Sequence, residues 1–158
     1  MKQIFLTIQT QLQSEVPELK YIDKDWGQLK YDQPPVKFPC ALIDITNVNY
    51  SQMGRGYQKA DADIIITIAN MKLIRSSAMA PSKIDSYDTI DILESVHQAL
   101  QLFADGQKFQ PLQRTNLKKI FNDKDAEVYA MLYKTSFIVE KTQPGKITVQ
   151  VSPIISAK

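Results

Sequence analysis

The sequence predicts an α+β fold: an antiparallel-dominated sheet of about four to five strands, built from two hairpins, with two main helices packed on it. Two strand-like segments flank a turn in the middle of the chain, and two more flank a turn near its end. One helical segment precedes the first pair, and another separates the two pairs. The chain lacks the regular alternation of strands and helices that a doubly wound parallel sheet would require.

Composition places the chain among ordinary globular proteins and indicates no particular partner. Of its 158 residues, 44% are hydrophobic and 23% are charged, which is typical of a soluble domain. The formal net charge of +2 is too small to predict binding to nucleic acid or to a membrane from bulk charge. We predict a single domain over residues 1–140 and an extension over residues 141–158, which forms a further strand or a flexible tail.

The N-terminal third of the chain predicts one helix, one short strand and a long connection. Apolar residues recur at helical spacing near the N-terminus and predict an amphipathic helix over residues 2–14: Ile4, Phe5, Ile8 and Leu12. A short strand is expected over residues 19–22. The segment that follows is rich in proline and polar residues, so we expect a largely extended loop up to Pro39.

A Gly-Arg-Gly sequence at residues 54–56 lies between two strand-like segments, residues 40–50 and 57–71. A phosphate-binding loop needs its glycines to be followed directly by a helix, so that free N–H groups and the helix dipole meet the anion. Here the following segment has a period of two, which is typical of a strand. We therefore predict that Gly54 and Gly56 supply the positive φ angles of a hairpin turn.

The second half of the chain predicts a long helix and a second hairpin. The helix begins at a cap residue, Asp85 or Ser86, after a loop over residues 72–84, and ends at Gly106. Its inward stripe consists of Thr89, Ile92, Leu93, Val96, Ala99, Leu100 and Phe103. Strands over residues 111–121 and 127–140 then flank a polar turn. In the last strand an apolar and aromatic stripe shares one face: Tyr129, Met131, Tyr133, Phe137 and Val139.

The residues that could carry chemistry do not form a recognisable catalytic or metal-binding motif. Cys40 is the only cysteine and is predicted to be a buried structural thiol. His97 is the only histidine, so no second imidazole is available for a metal pair. The regularly spaced acids of the long helix suit a helix N-terminus without any ligand. We predict that the protein is not an enzyme and has no cofactor and no bound metal.

A small metal-dependent enzyme is the competing hypothesis from a different functional class. Asp61 and Asp63 lie two residues apart on one strand face and could form a carboxylate pair. With Asp85 they could bind a divalent cation. Paired acids on the outer face of a strand are also explained by solvent exposure alone.

The order and character of the elements resemble those of the tail-terminator (tail-completion) proteins of long-tailed bacteriophages and prophages. The resemblance covers residues 1–140 and is carried by the segments "VPELKYIDKDWGQL", "FPCALIDI", "GYQKADADIIITIA", "SYDTIDILESVHQALQLF" and "FQPLQRTNLKKIFNDKDAEVYAMLYKTSFIVE". It implies a virion structural protein without an active site. Such a subunit assembles, commonly as a homo-hexameric ring, on the end of the tail tube and joins it to the head–tail connector.

The resemblance also implies partners, a location and candidate contact residues. The partners are further copies of the chain, the tail tube protein and the head–tail connector protein, in the virion tail and, during assembly, in the host bacterial cytoplasm; no membrane is involved. We assign the stripe residues Tyr129, Met131, Tyr133 and Phe137 to a subunit interface. Arg55 and Lys59 are assigned to the ring lumen, where they could contact passing DNA non-specifically. A head–tail connector or neck protein is the alternative role within the virion.

Overall fold

The computed structural model contains two helices on a five-stranded sheet, in agreement with the predicted α+β class. The part of the chain that the structure describes comprises residues 1–54, 56–71, 87–106, 108–120 and 126–140. The elements are α1 (Lys2–Glu15), β1 (Tyr21–Lys24), a short 3-10 helix (Gln28–Lys30), β2 (Cys40–Gly54), β3 (Tyr57–Met71), α2 (Asp88–Leu100), β4 (Gln113–Ile120) and β5 (Ala126–Glu140). The predicted loop over residues 72–84, the turn after β4 and the extension over residues 141–158 lie outside the described residues.

The sheet has the strand order β1-β2-β3-β5-β4 and is antiparallel except for its first pair. β1 and β2 run parallel and are joined by the connection over residues 25–39. β2 and β3 form a long hairpin, and the φ angles of Gly54 and Gly56 are +83° and +85°, as the turn prediction requires. The two hairpins expected from the sequence therefore become neighbours through the β3–β5 pairing.

The main core lies between the two helices and one side of the sheet, which we call the helix face. Alternation along β3 directs Ile64, Ile66 and Ile68 to this side, and all three are fully buried. α1 contributes Ile8 and Leu12, also fully buried, from the stripe that its sequence predicts. Burial of each such side chain stabilises the fold by roughly 1.5–3 kcal/mol.

α2 follows the predicted inward stripe but ends earlier than predicted. It stops at Leu100, well before Gly106. Beyond it, Leu102 adopts a positive φ of 61°, and its N–H group donates a hydrogen bond of 2.8 Å to the carbonyl oxygen of Leu112. The N–H group of Leu112 in turn donates to the carbonyl oxygen of Phe103 at 2.9 Å. The prediction was wrong because these pairings with a distant segment compete with continuation of the helix.

The connection over residues 25–39 covers one end of the other side of the sheet, which we call the open face. Three buried residues of the open face, Cys40, Ala69 and Val128, form a second, smaller core. Leu29 and Phe38 pack against it from the connection. The sequence predicts this segment only as an extended loop, and the structure shows that it shields the adjoining strand ends from solvent.

Gln28 holds this connection in place although its side chain is polar and completely buried. Its amide oxygen accepts a hydrogen bond of 2.9 Å from the N–H group of Trp26, and its amide nitrogen donates one of 2.8 Å to the carbonyl oxygen of Lys24. Gly27, which lies between Trp26 and Gln28 in the chain, has a φ of +92°. Both backbone groups therefore depend on the one side chain.

We expect Gln28→Ala to lower the free energy of unfolding by about 2 kcal/mol, because it leaves two backbone groups without partners. Gln13→Ala is the matched control, since Gln13 is exposed on α1 and its loss should change stability by less than about 0.5 kcal/mol. Urea unfolding followed by circular dichroism measures both. Equal stabilities for the two variants would show that Gln28 does not anchor the connection.

Candidate interaction surfaces

The distal end of the β2–β3 hairpin extends beyond the helices and forms a projecting arm, residues 49–54 of β2 and 57–59 of β3. Every residue of the β2 portion is exposed, whereas on β3 the residues that face the helices are buried from Ala60 onwards. The last residues of β5 pair with the β3 side of the arm, with Ile138 opposite Lys59. Fifteen-residue strands allow this projection, because the helices cover only part of their length.

An apolar patch, which we call the arm patch, lies on the arm and consists of Met53, Tyr57 and Ile138. The exposed fractions of the three side chains are 58%, 38% and 63%, which is unusual for such apolar residues in one place. Met53 and Ile138 line a common depression with Lys59. Exposed apolar side chains that lie together indicate contact with another protein more strongly than the same residues scattered singly.

Of the two residues predicted to line a ring lumen, Lys59 lies on the arm. Arg55 lies outside the described residues. Lys59 is half-exposed on the open face, where its Nζ atom forms an ion pair of 2.8 Å with Oδ1 of Asp61. An exposed ion pair of this kind contributes at most about 1 kcal/mol to stability, but it offsets part of the positive charge that Lys59 would present to DNA.

The stripe assigned to a subunit interface lies on the helix face of β5. Met131 and Tyr133 are completely buried within the subunit, and Phe137 is 7% exposed. Tyr129 is partly buried against the same core and lies 5.2 Å from Nζ of Lys119, measured to its ring centroid. The subunit's own helices and loops thus account for the apolar stripe, and its side chains offer little surface to a second copy.

Polar residues of the open face line a shallow depression of about 690 Å³. Asp63 lies in it, with Oδ1 3.8 Å from Nζ of Lys134, and the amide of Asn47 donates to its other oxygen at 3.4 Å. Asp61 also lines the depression and is paired with Lys59. Each carboxylate of the hypothetical metal pair therefore already has a cationic neighbour, and Asp85 lies outside the described residues.

Within the described ranges, no group of three or more histidine, cysteine, aspartate or glutamate side chains is arranged to hold a metal ion. Cys40 is buried, as predicted, and burial raises the pKa of its thiol to about 12. At neutral pH the thiol therefore stays protonated and is a poor nucleophile. In the same described part, no helix has the length and apolar character needed to cross a membrane.

His97 and Tyr133 place polar atoms at the buried boundary between α2 and the sheet, close to Arg114. Nδ1 of His97 and the hydroxyl of Tyr133 have no hydrogen-bond partner among the described residues. Burial lowers the pKa of His97, and the positive charge of Arg114 lowers it further. Burial raises the pKa of Tyr133 to about 12, so its hydroxyl remains neutral at physiological pH.

We expect His97 to make the subunit less stable in mild acid. Its folded-state pKa lies below the ordinary value of 6.5, so the unfolded chain binds a proton more readily between these two values. The free energy of unfolding should thus be highest above pH 6.5 and fall as the pH drops through the folded-state pKa. His97→Gln should show a smaller loss over this interval. If urea unfolding gives the same pH dependence of the free energy of unfolding for the wild type and for His97→Gln, His97 does not make this contribution.

The arm patch is not predicted by the sequence pattern. Met53 stands beside the glycines of the turn, and Ile138 lies within an apolar strand whose alternate residues are buried, so neither is conspicuous in the sequence. The alternation along the strand does indicate that Ile138 lies on the opposite face from Tyr133 and Phe137. Its exposure could be recognised only once the helix face was known.

No family model matches the sequence, and no curated protein matches it. Among solved structures, a chain of the "Virion of native gene transfer agent (GTA) particle" has a similar fold, with a TM-score of 0.51 and 10% sequence identity. The match covers 82% of the present chain and 90% of that chain. At this level of identity the likeness shows a shared fold.

Proposed function

We propose that this protein is a structural subunit of a phage-like virion and acts as a tail terminator. Copies of the chain assemble into a ring, of six subunits, that caps the tail tube and joins it to the head–tail connector. The role is one of assembly and requires no cofactor and no catalytic step. The protein would be found in the virion tail and, before assembly, in the cytoplasm of the host bacterium.

The single observation that carries the proposal is the shared fold with a chain from a gene transfer agent virion, extending over 90% of that chain. Because nearly the whole of the other chain is matched, the likeness concerns a complete structural unit rather than a common supersecondary motif. The resemblance of the sequence to tail-terminator proteins supports the same role. The projecting arm adds a physical feature that suits it, since an exposed apolar patch on a long hairpin can reach another virion protein.

Within this proposal the arm patch contacts the tail tube protein. Met53 and Ile138 would supply the apolar centre of the contact, and the polar residues around them its rim, the usual arrangement of a protein interface. Arg55 and Lys59 would lie beside the passage for DNA, where their charges contact phosphates without sequence preference. The ion pair between Lys59 and Asp61 offsets part of the charge that Lys59 would bring to this contact.

The proposal is tested with the purified full-length chain. We expect light scattering at micromolar concentration to give a mass above that of the 18.0 kDa monomer, and electron micrographs to show rings at the ends of purified tail tubes. Binding to purified portal complexes but not to tail tubes would instead identify a head–tail connector or neck protein. A monomer that binds neither would contradict a structural role in the tail.

A further inference from the structure

The outer surface of α2 carries a group of exposed acidic residues, which we call the acidic helix surface. Asp88, Asp91 and Glu94 are exposed, and the helix contains no lysine or arginine. Tyr87 and Ile90 add exposed apolar area beside them, 53% and 38% exposed. Among the described residues, none of the three carboxylates takes part in an ion pair. The helix thus presents three negative charges that no described residue pairs with, next to an apolar contact area.

The strand at the end of the sheet has the opposite character, and we call it the basic edge. All eight residues of β4 are exposed, and the three charged ones are Arg114, Lys118 and Lys119, with no acid among them. Leu117 and Ile120 supply exposed apolar side chains. Lys119 forms an ion pair of 2.9 Å with Glu127, whereas Arg114 and Lys118 form none with any described residue.

β4 pairs with β5 on one side only, within the strands that the structure describes. An exposed strand edge tends to pair with another chain unless something prevents it. Two copies of β4 would bring three positive charges against three others, and like charges opposite each other destabilise strand pairing. The same repulsion opposes contact between two copies of the acidic helix surface. The charge distribution therefore disfavours a symmetric contact through either surface.

The two surfaces do not pair within one subunit among the described residues: no ion pair joins a carboxylate of α2 to a cation of β4, although Arg114 lies close to His97 of the same helix. α2 packs against the core through Ile92, Leu93 and Val96, so its acidic residues point away from the sheet, whose edge β4 forms. A contact between the two surfaces must therefore join different copies. Such a head-to-tail contact repeats from copy to copy and closes into a ring when the rotation between neighbours allows it.

We propose that the basic edge of one copy docks on the acidic helix surface of the next. Charge complementarity sets the orientation: Arg114 and Lys118, the cations of β4 that form no ion pair with a described residue, flank the strand edge on its two sides and face the carboxylates. Leu117, which pairs with Met131 and so lies on the helix-face side of β4, then meets Tyr87 and Ile90. This inference rests on the proposed function, because it identifies the surfaces through which the proposed ring self-associates.

Paired charge reversals test the contact. In one variant Arg114→Glu and Lys118→Glu make the basic edge acidic; in the other Asp91→Lys and Glu94→Lys make the acidic helix surface basic. We expect each variant alone to self-associate roughly 10- to 100-fold more weakly than the wild type in sedimentation velocity experiments. A one-to-one mixture should regain wild-type association, because each reversed surface then meets a complementary one on the other variant.

Matched controls carry the same change of net charge elsewhere on the surface. Lys30→Glu with Lys37→Glu and, for the second variant, Glu15→Lys with Glu18→Lys alter exposed residues outside both surfaces. These controls should associate as the wild type does. Circular dichroism and thermal unfolding test whether each variant is folded. A variant that does not fold is replaced by the milder Lys118→Gln or Asp91→Asn, for which we expect a smaller weakening of self-association.

Failure of this contact and failure of the proposed function would give different experimental results. If the wild type self-associates but the two folded reversal variants do so equally well, or if their mixture does not regain association, this contact is overturned and the proposed function stands. If the wild type is monomeric and does not bind tail tubes, both this contact and the proposed function are overturned. Association that weakens with rising salt in the wild type and in the mixture is a further expected result, since salt screens exposed charges.

Discussion

Met131→Ala is expected to lower the free energy of unfolding of the subunit by about 3 kcal/mol, the range found for buried methionine replaced by alanine. Met131 lies at the centre of the helix face of β5, and its side chain is completely buried in the main core. Its removal leaves a cavity that the surrounding side chains fill only in part. The effect should be independent of protein concentration, because the side chain of Met131 packs against residues of its own subunit.

The absence of a concentration dependence would distinguish a role of Met131 in the core from a role in a subunit interface. If Met131 belonged to a subunit interface, the variant would change association, and its stability would depend on protein concentration. Met53→Ala is the matched control, because Met53 is 58% exposed and the same change there should alter stability by less than about 0.5 kcal/mol. Urea unfolding at two protein concentrations measures both variants. A concentration-dependent midpoint confined to Met131→Ala would contradict its assignment to the core.

The second large effect is expected at the arm patch. Replacing Met53 and Ile138 together by threonine should weaken binding to tail tubes by roughly 10- to 100-fold, since apolar side chains at the centre of a contact carry much of its energy. Threonine retains a high strand propensity, so the free energy of unfolding should change by less than about 1 kcal/mol. Self-association should persist, because neither residue belongs to the basic edge or to the acidic helix surface.

Co-sedimentation of the purified chain with tail tubes measures this prediction. Met71→Thr is the control, because Met71 is exposed at the opposite end of β3, where it pairs with Ala126. Unchanged binding by the double variant would show that the arm patch does not contact the tube. Loss of self-association instead of tube binding would place the arm patch between copies of the chain.

The residues proposed to line the lumen should have a role separable from that of the arm patch. Arg55→Glu with Lys59→Glu is expected to reduce the titre of infectious particles while leaving the fold intact, because the reversal would place negative charge beside the path of DNA. The matched control is Lys30→Glu with Lys37→Glu, which alters net charge equally at exposed positions of the connection between β1 and β2. Equal titres for these two variants would show that Arg55 and Lys59 do not line the lumen.

Local periodicity in the sequence determined most of the secondary structure. The period of two over residues 57–71 matches β3 residue for residue, and helical spacing near the N-terminus identified α1 to within one residue at its end. Both patterns arise from the geometry of the chain itself, which sets the residues that share a face. The glycines flanking Arg55 were equally informative, since few other residues adopt positive φ angles at low cost.

Tertiary structure alone decided which of these faces is covered and where some elements end. The stripe containing Tyr133 and Phe137 has the same pattern whether a helix or another copy covers it, and only the packing of the helices places it inside the subunit. α2 stops at Leu100 because hydrogen bonds between Leu102, Phe103 and Leu112 divert the chain, although the apolar period continues. Local spacing determines which side chains point the same way, whereas their burial depends on partners that are distant in the sequence.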